Sequence, residues 1–174
     1  GVALEVNHAF TRPIKDNDFV FVEFASTALS ITEGTGGVKD GWFSVVYNSN
    51  GKTNLPMAFV NVNVVGGTAL QGSDFEFDPD FIGFLPNGSL IESRNFNLVT
   101  DASLEADETI IFALSTSSPN VKLQNDTLVY TIVNDDLVNV SFAEAGATIL
   151  ESNVDEAISF NVTVQPLASS TVIG

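Results

Sequence analysis

Hydrophobic and polar residues alternate with a period of two along most of the chain. Six runs carry the pattern, at 19–24, 42–47, 59–64, 94–99, 110–114 and 127–133, each rich in Val, Ile, Phe and Thr. β-Branched and aromatic side chains suit a pleated, half-buried surface, and successive residues of a strand face opposite sides, so each run is predicted to be a strand. In Phe59-Val60-Asn61-Val62-Asn63-Val64 the valines face a core and the asparagines face water. Clusters of Gly, Asn, Asp, Ser and Pro separate the runs, and short strands at this spacing predict an all-β sandwich. The stretch 101–114 has a helical composition of Ala, Leu and Glu. It reads as a loop followed by a strand, because Thr109-Ile110-Ile111-Phe112 is strongly β-forming and no Gly or Pro closes a helix there. By the same alternation Trp42 and the 14 Phe are assigned to the core.

The segment 14–33 recurs at 132–151 without a gap: Phe24 returns as Phe142 and Glu33 as Glu151, each 118 positions on. A period near 118 predicts a window on a tandem array, excised from a longer chain. Residues 1–18 are then the closing strand of a preceding repeat, 19–137 a complete domain, and 138–174 the opening strands of a following one. The runs 138–142 and 158–164 alternate cleanly, and strands of an incomplete repeat leave N–H and C=O groups unpaired. The expected partners are therefore neighbouring repeats or other copies of the same chain, joined by strand addition or in a filament.

Charge narrows the function. Against 22 acidic residues stand 6 basic ones, a formal net charge of −16 in 174 residues, so nucleic acid and anionic lipid surfaces are repelled while cations are attracted. The absence of Cys excludes disulfides, thiolate metal sites and thiol nucleophiles. His8 is the single His, which excludes multi-His zinc sites; with no activated Ser or paired acid nearby it reads as a surface residue of the first strand. The acidic clusters lack the basic and aromatic subsite residues of a glycosidase cleft, no Gly-rich phosphate loop opens a helix, and an enzyme is not expected. No apolar run approaches the roughly 18 residues of a membrane span, and no signal-peptide pattern opens the chain, so a soluble, mature or excised form is expected. Asn-x-Ser/Thr sequons at Asn87, Asn125, Asn139 and Asn161 permit glycosylation and are about as many as chance supplies.

Carboxylates interrupt the apolar pattern where predicted strands end: at Glu33, Asp74, the stretch 101–108, the triplet Asn134-Asp135-Asp136, and its counterpart Asp16-Asn17-Asp18. Strand ends distant in sequence meet at one pole of an antiparallel sandwich. Converging carboxylates repel one another, and Ca²⁺ neutralises them best because it accepts six to eight oxygens in flexible geometry. The other reading is that these are solvated turn residues, favoured there because Asp and Asn form Asx turns. The alternating ligand spacing of an EF-hand loop is missing after Asp101.

Four segments together resemble the Calx-β family: Thr68-Ala69-Leu70-Gln71-Gly72-Ser73-Asp74-Phe75, then Phe84-Leu85-Pro86-Asn87-Gly88, then Asp101 with Asp107-Glu108-Thr109, then Thr131-Ile132-Val133-Asn134-Asp135-Asp136. The resemblance covers residues 19–137. It implies a seven-stranded, immunoglobulin-like sandwich binding Ca²⁺ at one pole, beside the following domain. Such domains occur in the regulatory loop of sodium/calcium exchangers, in integrin β4, in very large adhesion receptors, in sponge aggregation factors and in bacterial surface proteins. Carried over by position, the implied ligands are Glu33, Asp74, Asp101, Glu105, Glu108, Asp135 and Asp136. Two departures reduce the ligand charge. Thr100-Asp101-Ala102 replaces a run of three Asp, and Asn134 opens the closing triplet. Fewer ions and an affinity of about 10⁻⁵ to 10⁻³ M, in the range of extracellular modules, are expected. The implied role is adhesive or structural, in a secreted or cell-surface protein whose inter-domain joints Ca²⁺ stiffens. The alternatives are a calcium-sensing regulatory domain of a larger protein and a purely structural sandwich without metal.

Overall fold

A computed structural model describes Arg12 and residues 19–49, 51–146, 148, 150–151, 155 and 157–167. The expected closing strand at 1–18, with His8 and Asp16-Asn17-Asp18, falls outside these apart from Arg12. The described residues are all-β. β1 (Val20–Phe24), β3 (Gly37–Asn48), β5 (Phe75–Glu76), β7 (Ile91–Thr100) and β9 (Val121–Leu123) form one sheet, in the order β5-β7-β3-β1-β9. β2 (Ala28–Thr32), β4 (Ala58–Gly67), β6 (Asp80–Phe84), β8 (Glu108–Ser115) and β10 (Thr127–Val133) form the other, in the order β2-β10-β8-β4-β6. β11 (Leu137–Phe142) and β12 (Val162–Leu167) pair with each other in a separate two-stranded sheet.

All six runs read from alternation are strands, and 101–107 is loop ahead of β8 as expected. The sandwich has ten strands where seven were expected. The difference arises at three places, 25–27, 77–79 and 124–126, where the chain leaves one sheet and the next strand joins the other: β1 to β2, β5 to β6, and β9 to β10. Three residues without ladder partners are enough to transfer the chain across, so a single pass along the sandwich is divided between the sheets. These transfers also produce the parallel pairs, β1 with β9 and β2 with β10, in an otherwise antiparallel structure.

Alternation decides what fills the core. Val20, Val22 and Phe24 of β1, Phe43, Val45 and Tyr47 of β3, Val60 and Val62 of β4, and Ile110 and Phe112 of β8 point between the sheets and are buried. Phe112 sits at the centre, its ring centroid 4.9 Å from Phe43, 5.1 Å from Phe77 and 5.5 Å from Phe96. Gly41 lets Phe96 fold over β3, since a Cβ there would lie 2.2 Å from Phe96 Cζ. Trp42 does not belong to this core. It lies between the inward Gly41 and Phe43, so the strand period turns it outward and leaves it 55% exposed. The sequons Asn87 and Asn125 occupy turns with φ of 61° and 38°, Asn139 lies in β11, and Asn161 immediately precedes β12.

The two aromatic positions predict opposite behaviour. Phe112→Ala should cost about 3–5 kcal/mol of unfolding free energy, because the cavity would be surrounded by three rings. Trp42→Ala should cost about 1 kcal/mol or less. Urea denaturation followed by circular dichroism measures both, and equal losses would show that the outward assignment of Trp42 is wrong.

Candidate metal centre

Strand direction gathers the acids. β2 and β10 run parallel with Thr32 opposite Val133, and the ladder continues as Glu33 N–H donates to Val133 O at 2.9 Å, so both strands end side by side. β8 is antiparallel to β10 with Glu108 opposite Ile132, which puts the start of β8 where β10 ends. β7 ends at Thr100, opposite Gly37 at the start of β3. Glu33, Asp101, Glu108 and the Asn134-Asp135-Asp136 triplet therefore share one pole by backbone geometry alone.

Asp74 arrives by a longer route. Gly67, at φ 124°, passes so close to β8 that a Cβ would lie 2.0 Å from Thr109 O, and no L side chain fits there. Thr68 and Ala69 N–H then both donate to Thr109 O, at 2.9 and 3.0 Å. The chain turns between Leu70 and Asp74, with Asp74 N–H donating to Leu70 O at 2.9 Å and Leu70 N–H donating back to Asp74 Oδ2 at 2.6 Å. Asp74 O accepts from Val99 N–H at 2.9 Å, which fixes this turn against the end of β7.

The result is two groups of three carboxylates. In Glu33, Asp101 and Asp136, one oxygen from each lies within 4.8 Å of the others; in Asp74, Glu105 and Glu108 the same holds. Six of the seven residues named from the sequence resemblance are thus brought together. Asp135 belongs to neither group: its Oδ1 accepts from Gly34 N–H at 2.8 Å and anchors the turn after β2. Asn134 and Asp107, which the sequence reading did not single out as ligands, shape the closing turn. Asn134 Oδ1 accepts from Asp136 N–H at 2.8 Å, its N–H donates to Asp107 Oδ1 at 3.1 Å, and its Nδ2 donates to Ser103 O at 3.2 Å. The Asx spacing of Asn134 and Asp136 was the available signal.

Electrostatic strain is concentrated here. Asp136 is 3% exposed, and neither carboxylate oxygen has a hydrogen-bond partner. Burial raises its pKa, and the charges of Asp135 and Asp101 raise it further. Burial also raises Glu33, partly offset by the Asp101 N–H that donates to its Oε1 at 3.3 Å, with Asp101, Asp136 and Glu105 adding repulsion. Glu105 feels both groups: after desolvation, its upward shift comes from Asp101, Asp74 and Asp136. Glu108 is pushed up to about 7 by burial, by a hydrogen bond with Asp74, and by the charges of Asp74, Glu105 and Glu33.

The donor set is all carboxylate oxygen, with no nitrogen or sulfur, which matches a hard divalent cation and not zinc. Two oxygens bound to one Ca²⁺ at 2.3–2.6 Å lie at most about 5 Å apart, so groups spanning 4.8 Å fit one ion each. Leaving the Asp136 carboxylate without a partner is unfavourable, and a cation between Asp136, Glu33 and Asp101 would relieve it.

Comparison of the sequence with protein-family models and with curated proteins finds no match. Solved structures match in fold. The apo form of the Calx CBD1 domain aligns with a TM-score of 0.59 at 24% identity, over 68% of this chain and 99% of that one. The calcium binding domain CBD12 of CALX1.1 aligns with a TM-score of 0.57 at 23% identity, over 66% of this chain and 44% of that one. The Calx CBD2 domain aligns with a TM-score of 0.54 at 14% identity, over 68% and 88%. The chain has the fold of a Calx-β domain, as its motifs led one to expect.

The raised carboxyls set a pH dependence for the metal-free protein. Glu108 keeps its proton up to about pH 7 when folded, whereas its ordinary value is 4.5. Between these values the folded chain binds more protons than the unfolded one, so stability falls as pH rises from about 4.5 to about 7. Glu33, Glu105 and Asp136 act in the same direction. In a chelator, the urea midpoint of Glu108→Gln should decline less between pH 5 and pH 7.5 than that of the parent. Parallel declines would refute the assignment of that proton to Glu108.

Proposed function

We propose that this chain is a calcium-binding module of a tandem-repeat protein, in which Ca²⁺ stiffens the joint between one repeat and the next. The observation that carries this reading is Asp136: a buried carboxylate with two unpartnered oxygens, facing Glu33 and Asp101, one residue before β11 begins. An ion held by Asp136 fixes the backbone that leads out of the sandwich, and occupancy becomes a restraint on whatever follows. The Calx neighbours, one of them described as a calcium binding domain, support the choice of ion. The modest ligand charge supports an adhesive or structural role outside the cell as the reading proposed here. Asn134 and the single Asp101 supply fewer carboxylates than a tight sensor needs, and weak sites suit millimolar calcium.

In this mechanism each group of carboxylates serves as a cradle. Asp101 N–H ties Glu33 Oε1 to the Asp101 backbone, and an Asp136 oxygen lies within 4.8 Å of both carboxylates. Ca²⁺ supplies positive charge that cancels the repulsion, and the native state alone presents the ligands together, so binding stabilises the fold.

At a Ca²⁺ concentration 100 times the dissociation constant, linkage adds about 2.7 kcal/mol, and Mg²⁺ adds less because it gives up water reluctantly. Asp136→Asn and Asp74→Asn should each remove much of the calcium-dependent rise in melting temperature. Asp126→Ala, in the turn before β10, should leave it intact. Removing Asp136's charge should also raise the melting temperature in chelator, because the burial and repulsion terms disappear. Identical melts in chelator and in 5 mM Ca²⁺ would defeat the calcium reading, and half-occupancy below micromolar Ca²⁺ would assign the module to intracellular sensing.

A further inference from the structure

We propose that β11 and β12 are the opening hairpin of a second sandwich, and that their apolar face is the docking surface for a second sheet of the kind β2-β10-β8-β4-β6 forms in the first. Three observations support the equivalence. In sequence, Val20, Val22 and Phe24 of β1 return as Val138, Val140 and Phe142 of β11. In pairing, β1 lies antiparallel to β3 with Phe24 opposite Val45 and Val22 opposite Tyr47. β11 lies antiparallel to β12 with Phe142 opposite Val162 and Val140 opposite Val164. The first strand is thus displaced by 118 positions and the second by 117, as a connection one residue shorter requires. In packing, Phe24 meets Phe43 edge-on at 5.7 Å and 75°, while Phe142 meets Phe160 edge-on at 6.3 Å and 67°. Phe160 stands 117 positions after Phe43, two residues ahead of β12, so an equivalent aromatic pair has formed twice.

The difference lies in what covers the pair. Phe24 and Phe43 are 1% and 2% exposed beneath the opposite sheet, where Phe43 packs on Phe112 and Phe77. Phe142 and Phe160 are 70% and 64% exposed, with Val140, Val162 and Val164 open beside them. A side-chain pattern that is core in one copy is surface in the other. The occupant it fits is therefore an antiparallel sheet presenting aromatic and β-branched side chains, about 10 Å away face to face. This inference concerns apolar packing and stands whether or not the acidic pole binds calcium.

The test supplies the missing sheet. Residues 49–136 of this chain, which carry the covering strands of the first repeat, are appended after Gln165. Amide exchange at 138–142 and 162–164 should then slow by about 100-fold or more relative to the unaltered chain. Phe142→Asp with Phe160→Asp should abolish that protection while β1 and β3 keep theirs. A second extended chain carrying Val164→Tyr restores the counterpart of Tyr47. If neither extended chain gains protection while the first sandwich stays folded, the proposal is overturned. The unaltered chain should sediment as a monomer and bind an apolar dye that the double Asp variant does not bind. Concentration-dependent dimerisation through Phe142 and Phe160 would make the occupant a second copy and overturn the proposal equally.

Discussion

Like charges gathered at one point must be held there by something stronger than their repulsion, and in this protein that is the register of the sheet ladders. Six carboxylates occupy one end of the sandwich because five backbone passes begin or end there. Backbone N–H groups hold the carboxylates of Glu33, Asp74 and Asp101, whereas Asp136 has no hydrogen-bond partner at all. The interior between the sheets, with Phe112 at its centre, fixes the strands, and the strands fix the acids. The carboxylate groups are built against their own electrostatics, which is why Glu33, Glu105, Glu108 and Asp136 resist ionisation.

The transfers between sheets give this arrangement its asymmetry. Had β1 continued in its own sheet, Glu33 would end a strand beside β3 or β9. Crossing at 25–27 places it in parallel register with β10, one residue from Asn134. Asp74 lies on a short turn between the bulged end of β4 and the two-residue strand β5, where hydrogen bonds donated by Leu70 N–H to its carboxylate and by Val99 N–H to its carbonyl define its position. Gly67 is indispensable to that path because the chain touches Thr109 O. Features that look like irregularities in a sandwich are what position the ligands.

The chain between Asp136 and β11 joins two kinds of physics. On one side are converging, partly buried carboxylates; on the other is a two-stranded sheet whose apolar side chains Val140, Phe142, Val162 and Val164 are exposed. Asp136 and Leu137 are adjacent, so the carboxylate group and β11 share a backbone joint.

The sequence by itself determined the strands with clean alternation, since a two-residue period needs no tertiary information to be read: β10 matches its run at 127–133, and 59–64 lies within β4. It also showed that acids cluster where strands end, and the Calx-β resemblance then implied the six that fall in the two carboxylate groups. Tertiary structure decided the rest. The short strands β5 and β9 are too brief for a period to show, and exist only because a longer neighbour offers a ladder edge. Trp42 faces outward because Gly41 and Phe43 claimed the inner face, a choice of phase that composition cannot make. Asp135 and Asp136 are adjacent in sequence, yet one holds Gly34 N–H and the other is buried among acids, because consecutive residues of an extended chain point to opposite sides and only the packed pole distinguishes them.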